Sequence, residues 1–151
     1  MSSVSVRVTF SIRFSSPVPL SRLNEHKGFL KERGVYLLTR GLPKRPLHTA
    51  PNVFYIGKAI SETIFSRAQK HANAIIRAKH KTGTSKTRPG RRFRAFCEKI
   101  GYRLTDLWLI PGKMNDRRSF EVSCAEEWLL WNYKRKNRLL PQANTHVAND
   151  L

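Results

Sequence analysis

A carboxylate set among apolar residues is the first feature that invites chemistry. Over residues 118–138, Val122, Ala125, Leu129 and Tyr133 recur at helical spacing, and Glu126 shares their face while Glu127 points well away. Burying an unpaired anion is costly, and neither Leu129 nor Leu130, three and four residues on, can pair with it along the helix. The charge must be answered by a structural arginine across the core or by a metal ion, and periodicity leaves both open. A second anomaly has the opposite sign. Ile60, Ile64, Ala74, Ile75 and Ala78 form an apolar stripe that also carries Arg67 and His71, four residues apart. A guanidinium fork clamps phosphate oxygens, and a neighbouring imidazole donates a hydrogen bond or moves a proton near neutral pH. The same pair also occurs as plain packing and solvation. His26, His48, His80 and His146 show no ligand spacing, and Cys97 and Cys124 stand apart without a CxxC, so neither a zinc site nor a disulfide framework is signalled.

These residues need elements to hold them. Gly34 to Thr39 and Asn52 to Gly57 are short runs rich in β-branched and aromatic residues, apolar on both faces, as covered central strands are. Gly41, Pro43, Pro46 and Pro51 make the segment between them a loop, so the two strands are expected to be antiparallel neighbours. A helix is expected from Ile60 to about Ala78 with Ser61 as its cap, a short helix from Arg91 to Ile100, a third strand from Leu104 to Ile110 stopped by Pro111-Gly112, and a last helix from Arg118 to Arg138. Upstream, Val4, Val6, Val8, Phe10, Ile12 and Phe14 alternate with polar residues, the pattern of a strand with one buried face. Pro17 and Pro19 end it, and residues 20–33 read as a weak helix or irregular approach. The class is α/β.

The chain has 151 residues with 29 Lys and Arg against 10 Asp and Glu, a net charge of +19 that makes nucleic acid the leading partner. Between Arg77 and Arg94 lie eight basic residues and no acid: Arg77, Lys79, Lys81, Lys86, Arg88, Arg91, Arg92 and Arg94. Such a segment can follow a phosphate backbone or simply be solvated. Lys134, Arg135, Lys136 and Arg138 add a second basic arm. No aromatic stacking array stands out. No secretory leader pattern or long apolar span is present, so a cytoplasmic protein is expected. A catalyst, a silent nucleic-acid-binding module and an RNA-associated structural protein all satisfy this composition.

Gly34-Val35-Tyr36 and Tyr55-Ile56-Gly57 resemble the two tripeptides that name the GIY-YIG nucleases. Lys58-Ala59 continues the second tripeptide as these nucleases often do, Arg67 and His71 follow on the next helix, Glu126 on a later one, and Leu140 to Asn144 is similar to the closing segment with its asparagine. The resemblance covers residues 34–144 and implies a small antiparallel three-stranded sheet flanked by helices, here with an extra N-terminal strand. It divides the chain into residues 1–33, strand and connector, and 34–151, the nuclease-like part of a single globular unit.

What the resemblance implies chemically is a metal-dependent endonuclease acting on DNA, as monomer or homodimer. Tyr36, Tyr55, Arg67, His71 and Asn144 would form the catalytic set on one sheet face, Glu126 would be the single ligand of a magnesium or manganese ion, and Lys58 would contact nucleic acid beside the basic arms. Water would attack phosphorus in line, with Tyr36 as its base and Arg67 stabilising charge on the phosphate. The loop between the tyrosines and the stretch from Glu126 to Asn144 are longer than the family's pattern, with Tyr133 to Leu139 resembling an insertion. Helix phase favours Glu126 over Glu127, and the adjacent Pro141 favours Asn144 over Asn137.

Overall fold

Three apolar runs pair edge to edge because each has too few polar positions to face water on either side. A computed structural model describes residues 1–80, 88–114 and 118–144, with backbone only at 78–80, 88–92 and 94. The protein is α/β. Its strands are β1 (Arg13–Phe14), β2 (Val18–Pro19), β3 (Gly34–Arg40), β4 (Val53–Ala59) and β5 (Leu107–Lys113), and its helices are α1 (Ile64–His80), α2 (Arg88–Ile100) and α3 (Ser119–Asn137). The sheet is antiparallel throughout, in the order β1-β5-β3-β4, with β2 also pairing with β5.

Register decides which residues meet which helix. Tyr36 lies opposite Gly57 and Leu38 opposite Tyr55, so these four share one face; Val35 opposite Lys58 and Leu37 opposite Ile56 share the other. The first face packs with Leu109 against Ala68, Ala72, Ile75, Phe93 and Phe96 of α1 and α2. The second packs with Ile110 against Val122, Ala125, Leu129 and Tyr133 of α3. The apolar side chains on both faces are buried, and fully burying a Leu, Ile, Val or Phe contributes roughly 1.5–3 kcal/mol. Pairing steps from Leu38–Tyr55 to Thr39–Val53, leaving Phe54 as the extra residue of a bulge. Phe54 and Tyr55 therefore both join the core under α1 and α2.

Three expectations are corrected. The N-terminal strand over residues 4–14 is reduced to Arg13–Phe14. Phe10, Ile12 and Phe14 do take the inward positions of their alternation and pack on the α3 side, but Val4 and Val6 are 88% and 77% exposed. Alternation says which face would be buried; it does not supply a partner strand. The cap of α1 is Thr63, whose Oγ1 accepts the Ser66 N–H at 3.1 Å, and not Ser61. Pro111 and Gly112 lie within β5 and do not end it. The Pro111 carbonyl accepts from Ser15 N–H, so its nitrogen also faces the gap between β1 and β2, where no ladder bond is lost. None of the described helices is long and apolar enough to cross a membrane.

Candidate active site at the sheet edge

Tyr36 enters the site because its partner across the ladder has no side chain. A Cβ on Gly57 would come within 2.5 Å of the Tyr36 hydroxyl oxygen, 2.6 Å of its Cζ and 2.7 Å of Tyr55 Cε1. The ring of Tyr36 thus lies over Gly57, and its hydroxyl meets Nε2 of His71 at 2.7 Å in the interior. His71 is itself wrapped by rings, with Tyr55 at 4.8 Å edge-on and Phe93 at 4.3 Å between centroids. Arg67, one helical turn before His71, acts on both phenols and is held from behind by Glu62, whose Oε1 accepts from Nη1 at 3.3 Å. Glu62 in turn accepts from Ser66 and Lys70, each at 2.7 Å.

Burial dominates the electrostatics. It raises the Tyr36 phenol well above its ordinary value, with Tyr55 adding to the rise and Arg67 opposing it. Tyr55 is raised for the same first reason, again against Arg67. His71 is pushed down to about 3 by burial and then by Arg67, so its ring is neutral at neutral pH. Burial works against the charged form of Arg67, but Tyr36, Tyr55 and Glu62 outweigh it and the guanidinium stays protonated. The buried Nε of Arg67 has no hydrogen-bond partner among the described residues.

Glu126 reaches this cluster from α3, on the opposite face from the tyrosines, so the single-face arrangement is not what the fold provides. The carboxylate and the phenols approach around β4, which is the edge strand and carries Gly57 at that point. The charge of Glu126 bears on both Tyr36 and Tyr55, and that of Arg67 bears on Glu126. Its Oε1 pairs with Lys58 Nζ at 3.1 Å, and the side chain is 18% exposed. Burial raises its pKa, and Lys58 only partly offsets this. Lys58, expected as a nucleic-acid contact, is therefore an ion-pair partner here. As helix phase implies, Glu126 is turned inward while Glu127 is exposed.

Asn144 does not enter the cluster. Its Oδ1 accepts the Ile56 N–H and its Nδ2 donates to the Ile56 carbonyl, both at 2.8 Å, which fills the free edge of β4 beside Gly57. The Asn144 amide, expected in the catalytic set, thus has both its oxygen and its nitrogen engaged by the Ile56 backbone. Asn137 instead donates to the carbonyls of Thr49 and Tyr133. The stretch that resembled an insertion is the end of α3, anchored to β4 by Tyr133, whose hydroxyl donates to the Val53 carbonyl.

The basic segments divide. Arg77 is exposed on α1, and Lys134 and Arg135 are exposed on α3. Arg88, Arg91, Arg92 and Arg94 belong to α2, with only their backbone described. Lys79 lies near the end of α1, again as backbone, while Lys81 and Lys86 fall outside the described residues. Two participants carried little signal in the sequence. Glu62 could be read as the Arg67 partner only once α1 was known to begin at Ile64, and Phe93 looked like any core aromatic.

Among the described residues no group of three or more His, Cys, Asp or Glu side chains converges on a metal position. A lone carboxylate suits magnesium, which keeps most of its waters, and Glu126 is raised in pKa, as an anion under-served by its present cation would be. The residues present thus fit a weakly chelated divalent ion and do not fit a protein cage. Comparisons with family models, with curated proteins and with solved structures give no match for this chain.

Proposed function

We propose that the protein is a metal-dependent endonuclease of the GIY-YIG type that hydrolyses phosphodiester bonds, DNA being the favoured substrate. The observation that carries this reading is the meeting of Tyr36, Tyr55, Arg67 and His71, from β3, β4 and α1, with the Glu126 carboxylate bearing on both phenols. A divalent ion bound at Glu126 would act as Lewis acid toward the phosphate. Arg67 supplies a fixed positive charge for the oxygens of the five-coordinate transition state.

Full burial of Tyr36 changes the expected proton route. A phenol with no exposed surface and a raised pKa is a poor direct base. Tyr55, 7% exposed and linked to both Tyr36 and Arg67, is the phenol nearer the solvent. As the water oxygen bonds to phosphorus, its proton passes through the Tyr55 hydroxyl to solvent, and the leaving oxygen takes its proton from solvent. Tyr36 and the neutral His71 ring hold Tyr55 in place from behind. The negative charge gathering at phosphorus lies close to Arg67.

The test is cleavage of plasmid and single-stranded DNA in magnesium or EDTA. Cutting should require the metal and fall by at least about a hundredfold in Glu126→Gln and Tyr55→Phe, while binding persists. Glu126→Gln should fold at least as stably at pH 7, because folding disfavours the ionised acid it replaces. Unchanged cutting in Glu126→Gln refutes the assignment. Two observations favour a binding module on the same fold: Glu126 already has Lys58 as a counter-ion, and Tyr36 is wholly enclosed. That alternative gives full DNA binding with no metal-dependent cutting in the unaltered protein.

A further inference from the structure

The outward face of α3 carries an exposed indole among cations. Trp131 is 56% exposed, and the Arg135 guanidinium lies over its ring at 5.1 Å from the centroid. Together with Lys134 and Arg138 these two residues line a shallow groove of about 370 Å³, at the lower end of what small-molecule sites offer and enough for one nucleotide. The neighbouring Trp128 makes the contrast clear. It is 45% exposed, but its ring is taken by Phe10 at 6.3 Å and stacked on His48 at 5.8 Å. Among the described residues only Arg135 lies over the Trp131 ring. An open indole face ringed by three cations suits a flat group carrying negative charge and disfavours a basic or purely apolar one.

We infer that this groove binds an unpaired nucleotide of a nucleic-acid strand, its base stacked on Trp131 and its phosphate held by Arg135, Lys134 and Arg138. The inference rests on the nucleic-acid reading above and deepens it, by assigning single-stranded character to the strand that crosses α3. Stacking is the part that needs a single strand, because a paired base has both faces covered by its neighbours. Arg135 contributes twice, as a cation already resting on the indole and as a fork that matches phosphate oxygens. Trp131 follows Glu126 by five residues, about 7.5 Å of helical rise, but on the outer side of α3. A strand leaving the sheet edge would pass over the helix to reach it, so this contact orients substrate and does not touch the reacting atoms.

The test is binding in EDTA, where cleavage plays no part. Affinities for a fluorescein-labelled 12-nucleotide single strand, for the matching duplex and for polyphosphate, an anion without bases, are compared in Trp131→Ala, Trp131→Tyr and the unaltered protein. The expected result is a loss of at least about fivefold for the single strand in Trp131→Ala, recovery in Trp131→Tyr, and unchanged affinity for polyphosphate and duplex. Equal losses on all three probes would make the groove a plain charge patch and overturn the inference. So would an unchanged single-strand affinity, although the nucleic-acid reading would then survive. An unaltered protein that binds polyphosphate but neither nucleic acid would overturn both.

Discussion

Acidification should unfold this protein through one buried ring. His71 is 7% exposed, its Nε2 is engaged by the Tyr36 hydroxyl, and its pKa is pushed down to about 3 from an ordinary 6.5. A folded-state value below the unfolded one contributes stability that is present above pH 6.5 and drains away as the pH falls toward 3. With those two values the loss between pH 7 and pH 5 is about 2 kcal/mol, and it reaches about 3 kcal/mol at pH 4. Against a total of about 5–15 kcal/mol for a typical domain this is a large fraction. The assay is urea unfolding at pH 7, 6 and 5, followed by tryptophan fluorescence, in the unaltered protein and in His71→Gln. Glutamine can still meet the Tyr36 hydroxyl but does not titrate. The variant should start less stable and then lose about 2 kcal/mol less than the parent over the same interval. Because every other titrating group is common to both, the difference isolates the ring. Parallel pH profiles would refute the reasoning, since they would mean that His71 is protonated as readily folded as unfolded.

Gly57→Ala should lower stability by about 1–3 kcal/mol, read as a shift in the urea midpoint, because its methyl group would strike the fully buried ring of Tyr36. A midpoint equal to that of the parent would show that the ring has room to move. Asn144→Ala strips both hydrogen bonds from Ile56 at the edge of β4 and should cost about 1–3 kcal/mol, with faster hydrogen exchange at the Ile56 amide. Asn144→Asp should not rescue it, because a carboxylate can accept from the amide but has nothing to donate to the carbonyl.

Much of this architecture could be read from the chain where pattern and partner coincide. β3 and β4 were visible because runs apolar on both faces must be covered on both, and α3 because its buried stripe recurs at helical spacing. That spacing also selected Glu126 over Glu127. Reading failed where a residue depends on something distant in sequence. Alternation at residues 4–14 specified a face without a partner to pair with. Pro111 looks like a strand breaker until the carbonyl on its own side is seen bonded to Ser15. Asn144 was noticed, but its bond to a strand 88 residues earlier has no local signature. Proton affinities were the least legible: the Tyr36 phenol and His71 imidazole are shifted by enclosure, which only the packed core of Phe93, Tyr55 and α1 creates. The aromatic character of the outer face of α3 was likewise hidden, because Trp128 and Trp131 are apolar letters in a helix whose burial had to be known first.

The amide clamp on Ile56 has a consequence beyond the site. A border strand ordinarily offers its main-chain donors and acceptors to any extended chain that drifts alongside, which is how sheets from separate molecules zip together. Here one side chain mimics a neighbouring strand for a single residue and closes the middle of that border. A molecule clipped ahead of residue 144 would keep every strand yet lose its guard, and would be expected to stick to its own kind.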